Sequence, residues 1–319
     1  MSGARSGGAV PLRPIVKWAG GKRQLLEAIR ASYPPGLGDT VKKYAEPFVG
    51  GGAVLLDILS RFPMEAVYIS DVNQELINVY RVIRDQVPEL IEALSGMEAE
   101  YLPLDGGGRR SYYQGRRDRF NSRGGGAVER AALFIFLNRT CFNGLYRVNR
   151  SGRFNVPIGA YKRPLICDGE NLRNVSRAFQ AVDIVEGDYR QAGGFVDGDT
   201  FVYFDPPYRP LSATAGFTSY TEAGFGDGDQ IQLAQFAMEL GRRGARVMLS
   251  NSDPKNGGGT DAFFDDLYAP FHIQRVEAAR AINSAREKRG RITELLITSY
   301  PPPIPPAAHN PGEAIGEAP

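Results

Sequence analysis

Thr200-Phe201-Val202-Tyr203-Phe204-Asp205-Pro206-Pro207-Tyr208 places an unbroken apolar run directly before a carboxylate, two prolines and an aromatic ring. A short continuous apolar run bounded by turn residues reads as a strand buried on both faces, the kind that parallel sheets use. In open α/β sheets ligands bind beyond the carboxyl ends of such strands, which is where Asp205–Tyr208 falls. Proline lacks an N–H, so the Pro206 carbonyl points outward with no competing donor on the next residue. Carboxylate, carbonyl and ring together are suited to gripping an exocyclic amine on a flat base while the base stacks on the ring. A Pro-Pro turn after a core strand also serves purely structural ends, and other segments decide between the two.

Working outward, strands alternate with helices. Lys43–Pro47 reads as a strand entering Phe48-Val49-Gly50-Gly51-Gly52, followed by a helix over Ala53–Arg61. Ala66–Ser70 is a strand ending in Asp71, and Asn73–Arg84 a helix. Asp183–Glu186, Thr200–Phe204 and Arg246–Ser250 read as further strands, with a helix over Asp229–Arg242 and late strands at Phe271–Glu277 and Glu294–Tyr300. This order predicts an α/β fold with a doubly wound, mostly parallel sheet. The middle differs. Ala127–Leu137 is a strongly apolar helix candidate, and Asn138–Arg163 is irregular, basic and aromatic. A hairpin is expected over Tyr146–Phe154, turning near Ser151-Gly152. The glycine runs Gly106–Gly108 and Gly124–Gly126 read as flexible loops. The expected division is a disordered tail (1–12), a discontinuous sheet domain (13–75 and 168–300), an inserted recognition module (76–167) and a Pro-rich extended tail (301–319).

The chain has 319 residues and a net charge of only +2, but the charge is unevenly spread. Between Arg109 and Arg163 thirteen Lys and Arg face two acids, so this segment carries +11 and the remainder −9. Such a block on an acidic body is a footprint for phosphate. A solvated charged face is the plainer explanation, but Tyr112, Tyr113, Phe142, Tyr146 and Tyr161 interleave with the cations, as on nucleic-acid contact surfaces. No run of 18 apolar residues is present and no secretory apolar region opens the chain, so a cytoplasmic protein with no membrane span is expected. Two cysteines, Cys141 and Cys167, fit a reducing compartment. Two histidines and no C-x-x-C or H-E-x-x-H pattern argue against a protein-bound metal.

Two further segments carry chemistry. Three successive glycines after a strand let a ligand approach the backbone, and the next helix offers free N–H groups. Asp71 closes the following strand, about twenty residues on, where an acid can take ribose hydroxyls. Taken alone this pattern fits a nicotinamide cofactor as well as S-adenosylmethionine. It is neither G-x-G-x-x-G nor a phosphate loop with G-K-[ST]. Lys17-Trp18-Ala19-Gly20-Gly21-Lys22 holds the only tryptophan, and Lys22 can neutralise a ligand carboxylate.

Together these segments resemble the Dam-type DNA adenine N6-methyltransferases of the D12 class, alpha motif order. Lys17–Lys22, Phe48–Gly52, Asn138–Pro157 and Asp205–Tyr208 match in the family's order, with shorter echoes at Leu211–Ala215, Phe217-Thr218 and Ser250-Asn251. The likeness runs from about Pro14 to Tyr300. It implies a Rossmann-like S-adenosylmethionine-dependent sheet with an inserted, mainly helical DNA-recognition domain carrying a β-hairpin. It implies a monomer or weak dimer acting on double-stranded DNA, methylating an extruded adenine within GATC without a metal. By the same resemblance Trp18, Ala19, Gly20 and Lys22 line the cofactor pocket, Phe48 and Gly50 lie beneath the cofactor, Asp71 takes its ribose and Asp188 its adenine. Asp205, Pro206 and Tyr208 are the catalytic set, Asp205 also touching the cofactor, and the loop from Arg209 to Gly228 closes over the base. Lys17, Phe142, Asn143, Leu145, Arg147 and Pro157 are the DNA contacts: Lys17 for the first guanine, Arg147 for a guanine edge, Leu145 and Pro157 for a thymine methyl, Phe142 as a wedge. Some relatives have tyrosine where Phe142 stands. The resemblance fits a stand-alone enzyme and the partner of a restriction endonuclease equally.

Three alternatives account for parts of the sequence. Cytosine-N4 enzymes more often carry serine in place of Asp205. A non-catalytic DNA-binding protein with a decayed cofactor fold would not need Lys22, Asp71, Asp205 and Tyr208 together. A nicotinamide dehydrogenase leaves the basic segment and Asp205–Tyr208 unexplained.

Overall fold

The computed structural model describes residues 11–18, 20–209, 225–257, 259–279 and 291–302. Its frame is a seven-stranded sheet: β1 (Lys43–Pro47), β2 (Ala66–Asp71), β3 (Val182–Glu186), β4 (Thr200–Phe204), β5 (Arg246–Ser252), β6 (His272–Ala279) and β7 (Arg291–Thr298). The strand order is β3-β2-β1-β4-β5-β7-β6. β1 through β5 pair in parallel, and β7 runs antiparallel between β5 and β6. The order reverses between β1 and β4, the switch point at which open α/β sheets bind ligands. β4 is buried at all five positions, as its apolar run requires of a central parallel strand. The fold is therefore the Rossmann-like, doubly wound α/β sheet expected.

Helix α1 (Leu26–Ala31) precedes β1, α2 (Ala53–Arg61) joins β1 to β2, and α3 (Gln74–Asp85) follows β2. Between β2 and β3 the chain adds α4 (Val87–Tyr101), α5 (Gly106–Asn121), α6 (Ala127–Thr140) and α7 (Gly169–Ala178). α6 buries every residue from Ala131 to Asn138. A helix apolar all round must be enclosed, and α3, α4 and α5 enclose it. Its side chains share one apolar cluster with those of β1, β2 and α3. The inserted helices thus pack as an extension of the sheet's own core. α8 (Asp227–Arg242) and α9 (Phe263–Leu267) complete the frame.

One expectation is corrected. Gly106–Gly108 do not form a loop; they are the first turn of α5, where Asp105 caps the helix by accepting from the Gly108 N–H at 2.7 Å. An N-cap carboxylate satisfies one of the orphan donors and offsets part of glycine's entropic cost. The reversal expected over Tyr146–Phe154 is present in minimal form, an antiparallel bridge of Val148 to Phe154 flanked by the Asn149 N–H on the Arg153 carbonyl at 2.9 Å and the Asn155 N–H on the Arg147 carbonyl at 3.2 Å. The Asn121 side chain accepts from the Phe154 N–H at 2.8 Å and donates to its carbonyl at 2.9 Å, holding the edge of the reversal that faces away from Val148. Asn149 shapes the turn, its side-chain oxygen accepting from the Ser151 and Arg153 N–H groups, each at 3.0 Å. The late strands are shifted by a few residues from their expected limits. Ala19, the Leu211–Ala215 and Phe217-Thr218 echoes, most of the Arg209–Gly228 loop and most of both tails lie outside the described residues.

Candidate active site

β1 ends in a turn that no ordinary side chain fits. Gly50 and Gly52 take left-handed conformations, φ +48° and +65°. A Cβ on Gly50 would stand 2.8 Å from Cδ1 of Trp18, and one on Gly51 3.0 Å from the Trp18 Cβ. The glycines therefore let the tryptophan lie against the backbone. Trp18 also stacks with Tyr146 at 5.8 Å and Phe134 at 6.4 Å, which joins the amino-terminal segment to the insertion. Phe48 also has a positive φ, 71°, a strained state for a bulky residue of the kind that collects at functional sites. Its ring stacks on Tyr189 at 5.2 Å.

At the end of β4 each member of the tetrapeptide except Pro206 is held by a different element. The Asp205 carboxylate lies 2.5 Å from the Lys22 ammonium and accepts from the Ser250 hydroxyl at 3.0 Å. Ser250 is in turn 2.8 Å from the Tyr203 hydroxyl. Burial raises the Asp205 pKa above the ordinary carboxylate value, while Lys22 and Ser250 pull it down. The Pro207 carbonyl accepts from Gln230 Nε2 at 3.1 Å. The Tyr208 hydroxyl donates to Glu294 at 2.5 Å. The Lys22 ammonium, 4% exposed, also sits 4.7 Å above the Tyr208 ring and donates to the Gly20 carbonyl at 2.8 Å. It fills the corner between carboxylate and ring face. Among the described residues no donor reaches the Pro206 carbonyl.

Asp71 ends β2 and accepts from the Gly50 N–H at 3.1 Å and the Asn73 N–H at 2.9 Å. Burial raises its pKa and those backbone donors oppose the rise. Beside it Val72 is 60% exposed, an apolar side chain left open at a sheet end. β3 runs parallel to β2, so Gly187-Asp188 follows alongside Asp71, with the Gly187 N–H donating to the Asp71 carbonyl at 3.0 Å. Asp188 is half exposed and pairs with Arg190 at 3.3 Å. One cavity of about 1440 Å³ joins Trp18, Gly20, Lys22, Phe48, Gly50, Asp71, Asp188, Asp205, Pro206 and Tyr208. It continues past Asn73 and Glu75 to Arg123, Arg130 and Tyr146 of the insertion. An apolar bed, strand-end carboxylates and an ammonium form a donor set that fits an adenosyl group carrying an amino-acid tail. Among the described residues no three His, Cys, Asp or Glu side chains converge as a metal-binding group.

The basic segment is tied to the amino-terminal motif by Asn138, 2% exposed. Its side chain accepts from the Lys17 N–H at 2.7 Å and donates to the Lys17 and Gly144 carbonyls at 2.8 and 3.0 Å. A Cβ on Gly144 would come within 2.4 Å of the Lys17 side chain. The Phe142 N–H donates to the Pro157 carbonyl at 2.8 Å. These bonds bring the Lys17, Phe142–Leu145 and Pro157 segments of the chain together. Phe142 is 52% exposed, and Asn143 has φ 54°. Arg147 lies exposed farther along the same loop, oriented by Asn155 at 2.8 Å. Arg116, Arg119 and Arg130 pair with Glu100, Glu129 and Glu75. Arg110, Arg147, Arg150, Arg153, Lys162 and Arg163 are exposed and meet no carboxylate among the described residues.

Several site residues are not singled out by the sequence. Gln230 sits on the buried stripe of α8 with Leu233, Ala234 and Ala237; a polar residue at i in an i, i+3, i+4, i+7 apolar pattern is the available signal. Glu46 is an acid inside the buried strand β1, 2% exposed. It lines the same cavity and accepts from the Tyr44 hydroxyl at 2.6 Å. Burial pushes its pKa up to about 8. Glu294 precedes an apolar run, and nothing in its own sequence tells what it meets.

The profile of the D12 class N6 adenine-specific DNA methyltransferase family matches residues 18–282. The chain is 48% identical to the Type II methyltransferase M.MjaIII of Methanocaldococcus jannaschii over 91% of this chain and 99% of that protein. It is 41% identical to the Type II methyltransferase M1.LlaDCHI of Lactococcus lactis subsp. cremoris, covering 91% and 96%. With the DNA adenine methylase of Haemophilus influenzae identity is 34%, covering 89% and 92%.

Proposed function

The chain belongs to the D12 class of N6 adenine-specific DNA methyltransferases, and from that premise we propose that it methylates an extruded adenine within GATC, taking the methyl group from S-adenosylmethionine. The observation that carries the reading is the Lys22 ammonium between the Asp205 carboxylate and the Tyr208 ring. That corner offers an ionic acceptor and a π face to one nitrogen, which is what an exocyclic amine needs. Lys22 would take the methionine carboxylate as another counter-ion, which would leave the corner for the target. S-adenosylmethionine, when bound, supplies the electrophilic methyl sulfonium. Trp18, Gly20, Phe48, Gly50, Asp71 and Asp188 would hold it, Asp71 on the ribose and Asp188 on the adenine.

The amino lone pair of adenine is delocalised into the ring, so the nitrogen is a poor nucleophile. Asp205 and the Pro206 carbonyl accept its two hydrogens and draw it toward sp3 character. Tyr208 fixes the ring plane for in-line transfer. The Asp205 carboxylate also stabilises the positive charge developing on nitrogen. Extrusion follows from geometry, because the amine of a stacked base cannot be reached in line. Residues 76–167 act as the recognition module. Lys17 and Arg147 read guanine edges, Leu145 and Pro157 meet a thymine methyl, Asn143 contacts the duplex and Phe142 fills the vacated stack.

Labelled methyl transfer to unmethylated duplexes, with nucleoside analysis and site mapping, tests the proposal. N6-methyladenine confined to GATC is expected. N6-methyladenine elsewhere overturns the assignment of Lys17, Leu145 and Arg147 as GATC readers. Binding of both substrates without transfer overturns the catalytic assignment.

A further inference from the structure

A stacking platform works only if its plane is fixed, and a tyrosine has two side-chain torsions to fix. Gln230 secures the backbone before Tyr208 through the Pro207 carbonyl. The ring itself is reached at its far end by Glu294, which accepts from the hydroxyl at 2.5 Å. Glu294 is well placed to be rigid. On β7 it pairs with Ser252 of β5 on one side and Val276 of β6 on the other. Leu295, Leu296 and Ile297, which follow it, are buried. Burial holds the Tyr208 phenol well above its ordinary pKa, so its proton stays in the hydrogen bond.

We propose that Glu294 is a positioning residue for methyl transfer, setting the plane of the Tyr208 ring through the phenolic hydroxyl. The proposal rests on Tyr208 being the stacking platform. Glu294 touches no reacting atom. It ties the platform to β7, so that the ring and Asp205 are both referred to strands of one rigid sheet. Removing the anchor leaves the ring in place but free to turn.

The test is a double-mutant cycle with Glu294→Ala, Tyr208→Phe and both together, read as kcat, as KM for duplex, and as fluorescence of 2-aminopurine at the target position. Each single change is expected to lower kcat about tenfold, a loss worth about 1.4 kcal/mol, with KM for DNA little altered. The double variant is expected to be no slower than either single one. Glu294→Gln keeps an acceptor oxygen and is expected to restore most of the rate. Losses that multiply in the double variant overturn the proposal, as does a slow Glu294→Ala beside a fully active Tyr208→Phe. Tyr208→Ala separates the two levels. If it retains full kcat, the stacking platform itself is wrong. If it is inactive while Glu294→Ala and Tyr208→Phe are both at full rate, only the role of Glu294 is lost.

Discussion

At the carboxyl end of the sheet three of the four residues of Asp205–Tyr208 are held from outside the tetrapeptide: Lys22 and Ser250 on Asp205, Gln230 on Pro207, Glu294 on Tyr208. Across the same cavity, the stretch from Asn138 to Arg163 is held differently. Side-chain amides, buried Asn138 above all, shape its backbone, while most of its cations project into solvent. The first region is over-determined and the second is anchored at its base and free at its tips. That contrast matches two physical demands. Stabilising a developing charge needs groups that do not reorganise, whereas meeting a phosphate backbone and base edges needs long side chains that can adjust. A substitution in the first region should therefore cost turnover or stability, and one in the second should shift preference or salt response.

The largest expected effect is at Asp205. Asp205→Ala should lower kcat by about a thousandfold while DNA affinity, measured by gel shift, stays near that of the unaltered protein. It also strands the buried Lys22 ammonium, so thermal unfolding is measured alongside. Asp205→Asn keeps an acceptor oxygen and should fall less far. Turnover retained in Asp205→Ala would remove the residue from the catalytic set.

Next comes Glu46, which tests whether the cleft's burial has a thermodynamic signature. Its pKa of about 8 in the folded chain stands above the ordinary 4.5. Between those values the folded form keeps a proton that the unfolded chain has released. Stability therefore declines as pH rises through that window, by an amount on the order of a few kcal/mol. Glu46→Gln cannot ionise and should lose this decline. Denaturant titrations at pH 5 and pH 8.5 on both proteins would show it, and parallel pH responses would contradict a buried, protonated Glu46.

The same contrast explains what the sequence discloses. β4 and the glycine turn are legible because an uninterrupted apolar run and a positive-φ turn leave local marks on residue type. The proposed readers Lys17, Leu145 and Pro157 are named only through family resemblance, since Lys17 meets the loop through Asn138, a contact across 121 residues. Gly106–Gly108 misleads because three glycines resemble a loop until Asp105 is recognised as a cap. Glu294 is silent, for its partner lies 86 residues away and an acid before an apolar run marks many strand ends.

The smallest effects belong to the exposed cations, and they separate two kinds of reader within the basic loop. Arg147 is oriented by Asn155, and a guanidinium held in one orientation can meet a base edge with two nitrogens. Arg147→Ala should cost about 1–3 kcal/mol of discrimination at one base pair, measured by competition between duplexes altered at single positions. Arg150 is exposed with no carboxylate among the described residues, which suits a phosphate partner. Arg150→Ala should weaken binding to all duplexes alike and flatten the slope of log affinity against log salt by about 0.9. The two variants must differ in kind. A salt slope unchanged in Arg150→Ala, or a sequence preference altered by it as much as by Arg147→Ala, would mean that the loop does not divide base reading from charge neutralisation.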